Sequence, residues 1–330
     1  MRLTCLVATL GVLSVVLMSC AGPTPSTDQT SDLGTAWGDP SLEGTWFVLE
    51  SVPLQRSATN EGVEFLTDEQ VRAADADKAL DPGRNTRSDN NTQDVTGAYN
   101  AVFNSVLRTS SRTSMIIDPP DGRIPPLVGE AEGGRGGRGG RGGRGFGGQG
   151  QNDNPETTAQ SPRCLGVAAQ FLPLNTAFAQ GTVLQIVQSP DSIGIYLEDD
   201  HAGGSNRVIF MDQRPPLPSD VRSFLGESRG HWEGQTLVIE TTNFSQGFRG
   251  SNAETFRMIE RFTRDGPNDL EREVTFEDPQ TWTQPWTVLI EMGKGSDERH
   301  MIFDSTCHEG NYGMTGILIG ARVQEQNAAQ

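Results

Sequence analysis

Near the C-terminus, Cys307-His308-Glu309-Gly310-Asn311-Tyr312 carries a thiol, an imidazole, a carboxylate, an amide and a phenol within six positions. An imidazole beside a carboxylate can move protons, and a phenol can assist. His308, Glu309 and Tyr312 are therefore the candidate catalytic residues. The same groups could instead satisfy backbone donors where a strand turns into a helix, and the sequence leaves both options open. A second candidate is "DPPDGR" (118–123), a turn whose dihedrals proline fixes. Its Asp118, Asp121 and Arg123 offer anchoring charges. Asp118, Arg123, Asn311 and Trp286 make up the candidate ligand-binding set. Trp282 and Trp286 stand four apart and would suit a sugar-stacking platform if exposed. In a strand both face one side, which equally makes them a core pair.

Little else in the chain carries chemistry. There are four histidines, His201, His231, His300 and His308. His201 follows Glu198, Asp199 and Asp200, but successive strand side chains point to opposite faces and do not converge on a metal. An acidic hairpin tip is the simpler reading. No serine nucleophile elbow, zinc H-E-x-x-H, phosphate loop or dinucleotide fingerprint is present, so no metal and no cofactor is expected.

These residues have to be positioned by strands. After residue 175, short β-branched runs recur, among them "TVLQIVQS" (182–189), "SIGIYLED" (192–199), "RVIFMD" (207–212), "QTLVIETTNF" (235–244), "FRMIERFTR" (256–264), "LEREVTFED" (270–278), "WTVLIEMG" (286–293) and "RHMIFDSTC" (299–307). Turn signals separate them, and "GHWEGQTL" reads as a hairpin with Glu233-Gly234 at its tip. In "EREVTFE" positions 272, 274 and 276 form the dry face. The expected fold is mainly β: an antiparallel meander, closed or strongly curled so that its edges are protected. "LEGTWFVLES" (42–51) is a further strand with Trp46 and Val48 on one face. One helix is expected over 65–80, with Thr67 as its N-cap. Met314, Ile317, Leu318 and Ala321 mark a short C-terminal helix that would cap the barrel.

The N-terminus gives a location. Met1-Arg2 followed by a short apolar stretch reads as an export signal, and Leu17-Met18-Ser19-Cys20 resembles the lipobox of bacterial lipoproteins. That resemblance implies cleavage after residue 19 and acylation of Cys20, which would anchor the protein to a membrane through lipid alone. The same resemblance implies the outer membrane, since Ala21 rather than Asp follows the cysteine. Residues 20–40 read as a disordered tether and 41–325 as one β-rich domain. A Gly/Arg-rich coil, "GGRGGRGGRGGRGFGGQGQ" (133–151), lies within a disordered insertion at 129–160. Acidic residues exceed basic ones by 17. Such a surface repels nucleic acid, which excludes the RNA-binding reading of those arginines. With Cys5 in the signal and Cys20 acylated, Cys164 and Cys307 remain and are expected to pair in an oxidising compartment.

Five stretches, "SRTSMIIDPPDGRIPPL", "RGHWEGQTLVIETTNF", "ERFTR", "EDPQTWTQPWTV" and "CHEGNYGMTGILIGAR", together resemble a family of exported proteins of environmental bacteria. The resemblance implies a mostly-β exported architecture and no particular activity. His231 stands where that family's pattern more often has arginine, which argues against it as a catalytic base. Gly44-Thr45-Trp46 separately resembles the G-x-W opening of lipocalin-like barrels, where the tryptophan packs across the closed end. Three functions fit these residues. One is a binding protein for a small apolar or carbohydrate-like ligand, with an interior pocket lined by Trp, Phe, Ile and Met. Another is a hydrolase or lyase acting on an extracellular polymer. The last is a structural envelope component with a filled barrel. The sequence is silent on oligomeric state.

Overall fold

Alternation with a period of two becomes a curved wall, because every dry position turns to the same side of the sheet. The computed structural model describes residues 33–79, 107–129, 152, 154–158, 161–165, 183–197, 204–212, 214–295, 302 and 307–328. The signal segment, Cys20, His201, His300, the Gly/Arg repeat and most of the run 299–307 lie outside these residues. In chain order the strands are β1 (Gly44–Val48), β2 (Glu50–Ser51), β3 (Arg108–Thr109), β4 (Ile116–Asp118), β5 (Val183–Gln188), β6 (Ser192–Leu197), β7 (Ser205–Phe210), β8 (Glu227–Glu233), β9 (Thr236–Thr242), β10 (Arg257–Arg264), β11 (Asp269–Glu277) and β12 (Trp286–Lys294). The α-helices are α1 (Asp68–Ala79) and α2 (Tyr312–Ala328).

Strand order runs β1, β5, and then β6 to β12, and β12 pairs back onto β1 through Trp46↔Lys294 and Val48↔Met292. Nine strands therefore close a barrel. Around a ring with an odd number of strands, neighbours cannot all run antiparallel. The parallel pair is β7–β8, with Ile209↔Ser228 and Phe210↔Arg229. All other neighbours in the ring are antiparallel. The expected antiparallel meander is thus interrupted once. A parallel pair needs a long crossover in place of a hairpin, and residues 211–226 supply it. Glu227 bolts this crossover down, accepting from the Leu217 backbone N–H at 2.9 Å and from Arg229 Nη2 at 2.6 Å. The β8–β9 hairpin closes one residue later than expected: Glu233 pairs with Thr236, and Gly234 takes φ +63° in the turn.

Both ends of the barrel are plugged by aromatics. At one end Trp46 is 0% exposed and donates its indole N–H to the Leu42 carbonyl at 2.9 Å, and the Arg264 guanidinium lies 5.5 Å above its ring. At the other end Phe248, Phe256, Phe276, Trp282 and Trp286 form one cluster, with Trp282 and Trp286 edge to face at 5.6 Å. Between the plugs, Leu184, Ile186, Ile195, Ile239, Met258, Phe262, Val274 and Val288 fill the described interior.

One feature of that interior is polar. Glu260 on β10, 0% exposed, sits between Arg207 on β7 and Arg272 on β11. Arg207 donates to it from Nη1 (2.5 Å) and Nη2 (2.9 Å), and Arg272 from Nε (3.0 Å) and Nη2 (2.7 Å). Burial opposes ionisation of Glu260. The two guanidiniums and their hydrogen bonds outweigh it and hold the carboxyl below the usual glutamate range.

Outside the wall, β4 pairs with the first half of β12 (Val288↔Ile116), beyond the point where β1 takes over that edge. Helix α1 begins at Thr67 as expected, with a reciprocal cap: Gln70 N–H donates to Thr67 Oγ1 (3.3 Å), and Thr67 N–H to Gln70 Oε1 (2.8 Å). Within the expected tether, Gly34 and Pro40 bridge across a turn. Cys164 and Cys307 are bonded, with S–S 2.15 Å and Cα–Cα 5.6 Å. Helix α2 is the expected short C-terminal helix. Met314, Ile317, Leu318 and Ala321 are its half-buried apolar positions, as the periodicity requires, but no residue of the helix is fully buried. It rests on the 310 turn Ser161–Arg163 beside the disulfide.

Candidate functional site

The segment 111–122 folds around a polar knot rather than an apolar one. Ser114 Oγ donates to the carbonyls of Leu54 and Gly122, each at 3.1 Å, and accepts the Ile116 N–H at 3.0 Å. Gly122 makes this possible. Its φ is +70°, and a Cβ there would stand 3.0 Å from Ser114 Cβ and 3.1 Å from Arg56 Cβ, so a side chain would push the turn away. Arg56 is only 7% exposed. Its Nε donates to Thr113 Oγ1 (3.1 Å) and its Nη1 to the Pro120 carbonyl (2.9 Å), while its backbone N–H donates to the Gly122 carbonyl (2.8 Å).

Over this knot lies a cleft of about 50 Å³, lined by Arg56, Glu64, Arg112, Ser114, Ile116, Ile117 and Pro120. Arg112 lies beneath Phe65, with its guanidinium carbon 5.1 Å from the ring centroid. Its nearest carboxylate is Glu64, at a loose 3.7 Å, and Glu64 itself is 63% exposed. The Nε of Arg112 is buried without an acceptor. The site thus presents two guanidiniums to one small polar concavity, with two isoleucines alongside.

The residues singled out in the sequence fall in three places. Asp118 is exposed at the rim of the cleft, next to its lining residues Ile117 and Pro120. Asp121 accepts the Arg123 N–H at 3.0 Å, which shapes the turn, and the Arg123 side chain is exposed. Asn311 belongs to the fastening: its Nδ2 donates to the Pro162 carbonyl (2.9 Å) and to Cys164 Sγ (3.3 Å). His308, Glu309 and Tyr312 are on or near the surface, and Tyr312 is 83% exposed. Among the described residues no hydrogen bond or ion pair joins these three side chains to one another or to Asp118 and Arg123. Trp286 is 0% exposed within the aromatic plug, paired edge to face with Trp282. His231 is exposed on the outer face of β8 and meets Glu233 at 3.2 Å.

Sequence reasoning missed Arg56, Glu64, Arg112 and Ser114. Arg112 and Ser114 lay within "SRTSMIID", read only as a strand. Arg56 stands in "VPLQRSAT", which carries no motif. The buried triad had a signal: Glu260 and Arg272 occupy dry positions in their strands. Among the described residues, no group of three or more His, Cys, Asp or Glu side chains could hold a metal ion. Comparison with family models, with curated proteins and with solved structures returned no match.

Proposed function

We propose that this chain is a lipid-anchored protein of the cell envelope, held in the outer membrane through Cys20, that binds a small carbohydrate-like ligand in the cleft outside β4. The barrel is the frame and the cleft the functional part. One observation carries this reading. The described interior is filled and plugged at both ends, whereas a polar concavity stands open on the wall. The expectation from the sequence placed an apolar or carbohydrate-like ligand in the barrel itself; the cleft is favoured because its polar groups converge on one concavity.

Guanidinium, carboxylate and hydroxyl groups with a small apolar floor suit a hydroxylated ring better than a hydrocarbon tail. Asp118 and Arg123 extend the polar surface at the rim. The test is binding of the full chain to oligosaccharides prepared from bacterial envelopes, for wild type and for Arg112→Ala. Binding that weakens in the variant supports the cleft. Binding of equal strength in both would move the ligand elsewhere. For the anchor, labelled palmitate should enter the wild-type protein in cells and not Cys20→Ala; label in the variant would overturn that part.

A further inference from the structure

Arg56 raises a question of charge balance. It is nine-tenths buried, and both its protein acceptors, Thr113 Oγ1 and the Pro120 carbonyl, are neutral. Among the described residues it makes no ion pair. Buried charges are ordinarily paired, because an unpaired one keeps its desolvation cost. Along the same cleft, Arg112 has a buried Nε without an acceptor, and the carboxylate it meets within 4 Å among the described residues is the loose, solvent-facing Glu64. Two guanidiniums, one with only neutral acceptors and one with an unpartnered Nε, therefore line one concavity of about 50 Å³, the size of a single small polar group.

We propose that Arg56 and Arg112 form an oxyanion cradle, which takes the carboxylate, sulfate or phosphate group of a small ligand. This rests on the cleft being the binding site and names the chemistry it selects: an acidic sugar over a neutral one. The planar donors of Arg match the paired oxygens of such groups. Thr113 positions Arg56, since its Oγ1 accepts from Arg56 Nε while donating to the Val63 carbonyl at 2.6 Å. Ser114 and Gly122 keep the turn close to the Arg56 stem. Glu64 is the resident competitor. An arriving anion displaces it from Arg112, and its 63% exposure leaves it free to swing into solvent.

The experiment is calorimetric titration of the full chain with glucose, glucuronate, inorganic sulfate and inorganic phosphate at low ionic strength, for wild type, Arg112→Gln and Glu64→Gln. Glucuronate should bind at least about 10-fold more tightly than glucose, the margin of one charge-assisted hydrogen bond. That margin should shrink with added salt as exposed charge is screened and disappear in Arg112→Gln. Glu64→Gln, an exposed substitution that leaves the fold alone, should bind glucuronate more tightly than wild type. Sulfate or phosphate binding without either sugar would keep the cradle and remove the carbohydrate reading. Glucose and glucuronate binding equally, with no response to either variant, would overturn the cradle while leaving a sugar site. No binding of any probe would overturn both.

Discussion

Replacing Glu260 by glutamine removes a negative charge from between two guanidiniums and leaves the shape of the core almost unchanged. Glu260 is fully buried, and both arginine side chains are 2% exposed. Its carboxylate accepts four charge-assisted bonds of 2.5 to 3.0 Å. The amide keeps one acceptor oxygen, loses the charge, and places an NH₂ donor against donors. Breaking a buried ion pair from one side costs about 3–5 kcal/mol, because the remaining charge stays in a low dielectric. Against a typical domain stability of about 5–15 kcal/mol that is a large share. The assay is urea unfolding followed by tryptophan fluorescence, with Trp46, Trp282 and Trp286 buried as reporters. The pH dependence has a definite sign. A carboxyl held low in the folded state stabilises above the unfolded value of 4.5, and that contribution is lost as pH falls through the folded value. The gap between wild type and Glu260→Gln should therefore be constant near neutrality and narrow only below 4.5. Changing all three residues together to apolar ones of similar volume should be neutral or stabilising by about 1–4 kcal/mol. A single-variant loss below about 1 kcal/mol, or a triple variant less stable than Glu260→Gln, would refute the reasoning.

Two further outcomes follow from the same structure. Glu271 lies opposite Glu291 on the outer face, and partial burial together with Glu291, Asp265 and Glu273 pushes its carboxyl upward. A raised acid weakens the fold as pH rises through its folded value, so Glu271→Gln should stabilise by about 0.5 kcal/mol at neutral pH, with the benefit vanishing below 4.5. Reducing the Cys164–Cys307 bond, which spans a separation of 143 residues, should lower stability by about 4–5 kcal/mol if chain entropy dominates. Equal urea midpoints with and without reductant would contradict this.

Much of the barrel was legible because alternation is local: a residue at 272, 274 or 276 declares its face from its neighbours alone. Strand direction is not local. Nothing in "RVIFMD" or in the residues of β8 says that β7 and β8 lie parallel, and that follows only from closing an odd ring. The triad was half legible. Charge on the dry faces of β10 and β11 was visible, but the partner on β7 is 53 residues away from Glu260. The cleft was hidden for a similar reason. Arg56 and Arg112 come together only once Ser114 and Gly122 knot the two segments, and no spacing rule links them. His308, Glu309 and Tyr312 drew attention by their types alone, and among the described residues no hydrogen bond joins their side chains to one another.

The most direct measurement is a titration of the protein with glucuronate, observed by NMR at the Nε–H groups of Arg56 and Arg112 and at the indole N–H groups of Trp46 and Trp286. With a sealed barrel and an anion cradle on its wall, the two arginine signals move with a common saturation curve and the two indoles stay in place. Movement of the indoles with silent arginines would put the ligand inside the barrel, and the account of a filled scaffold with an external site would be wrong.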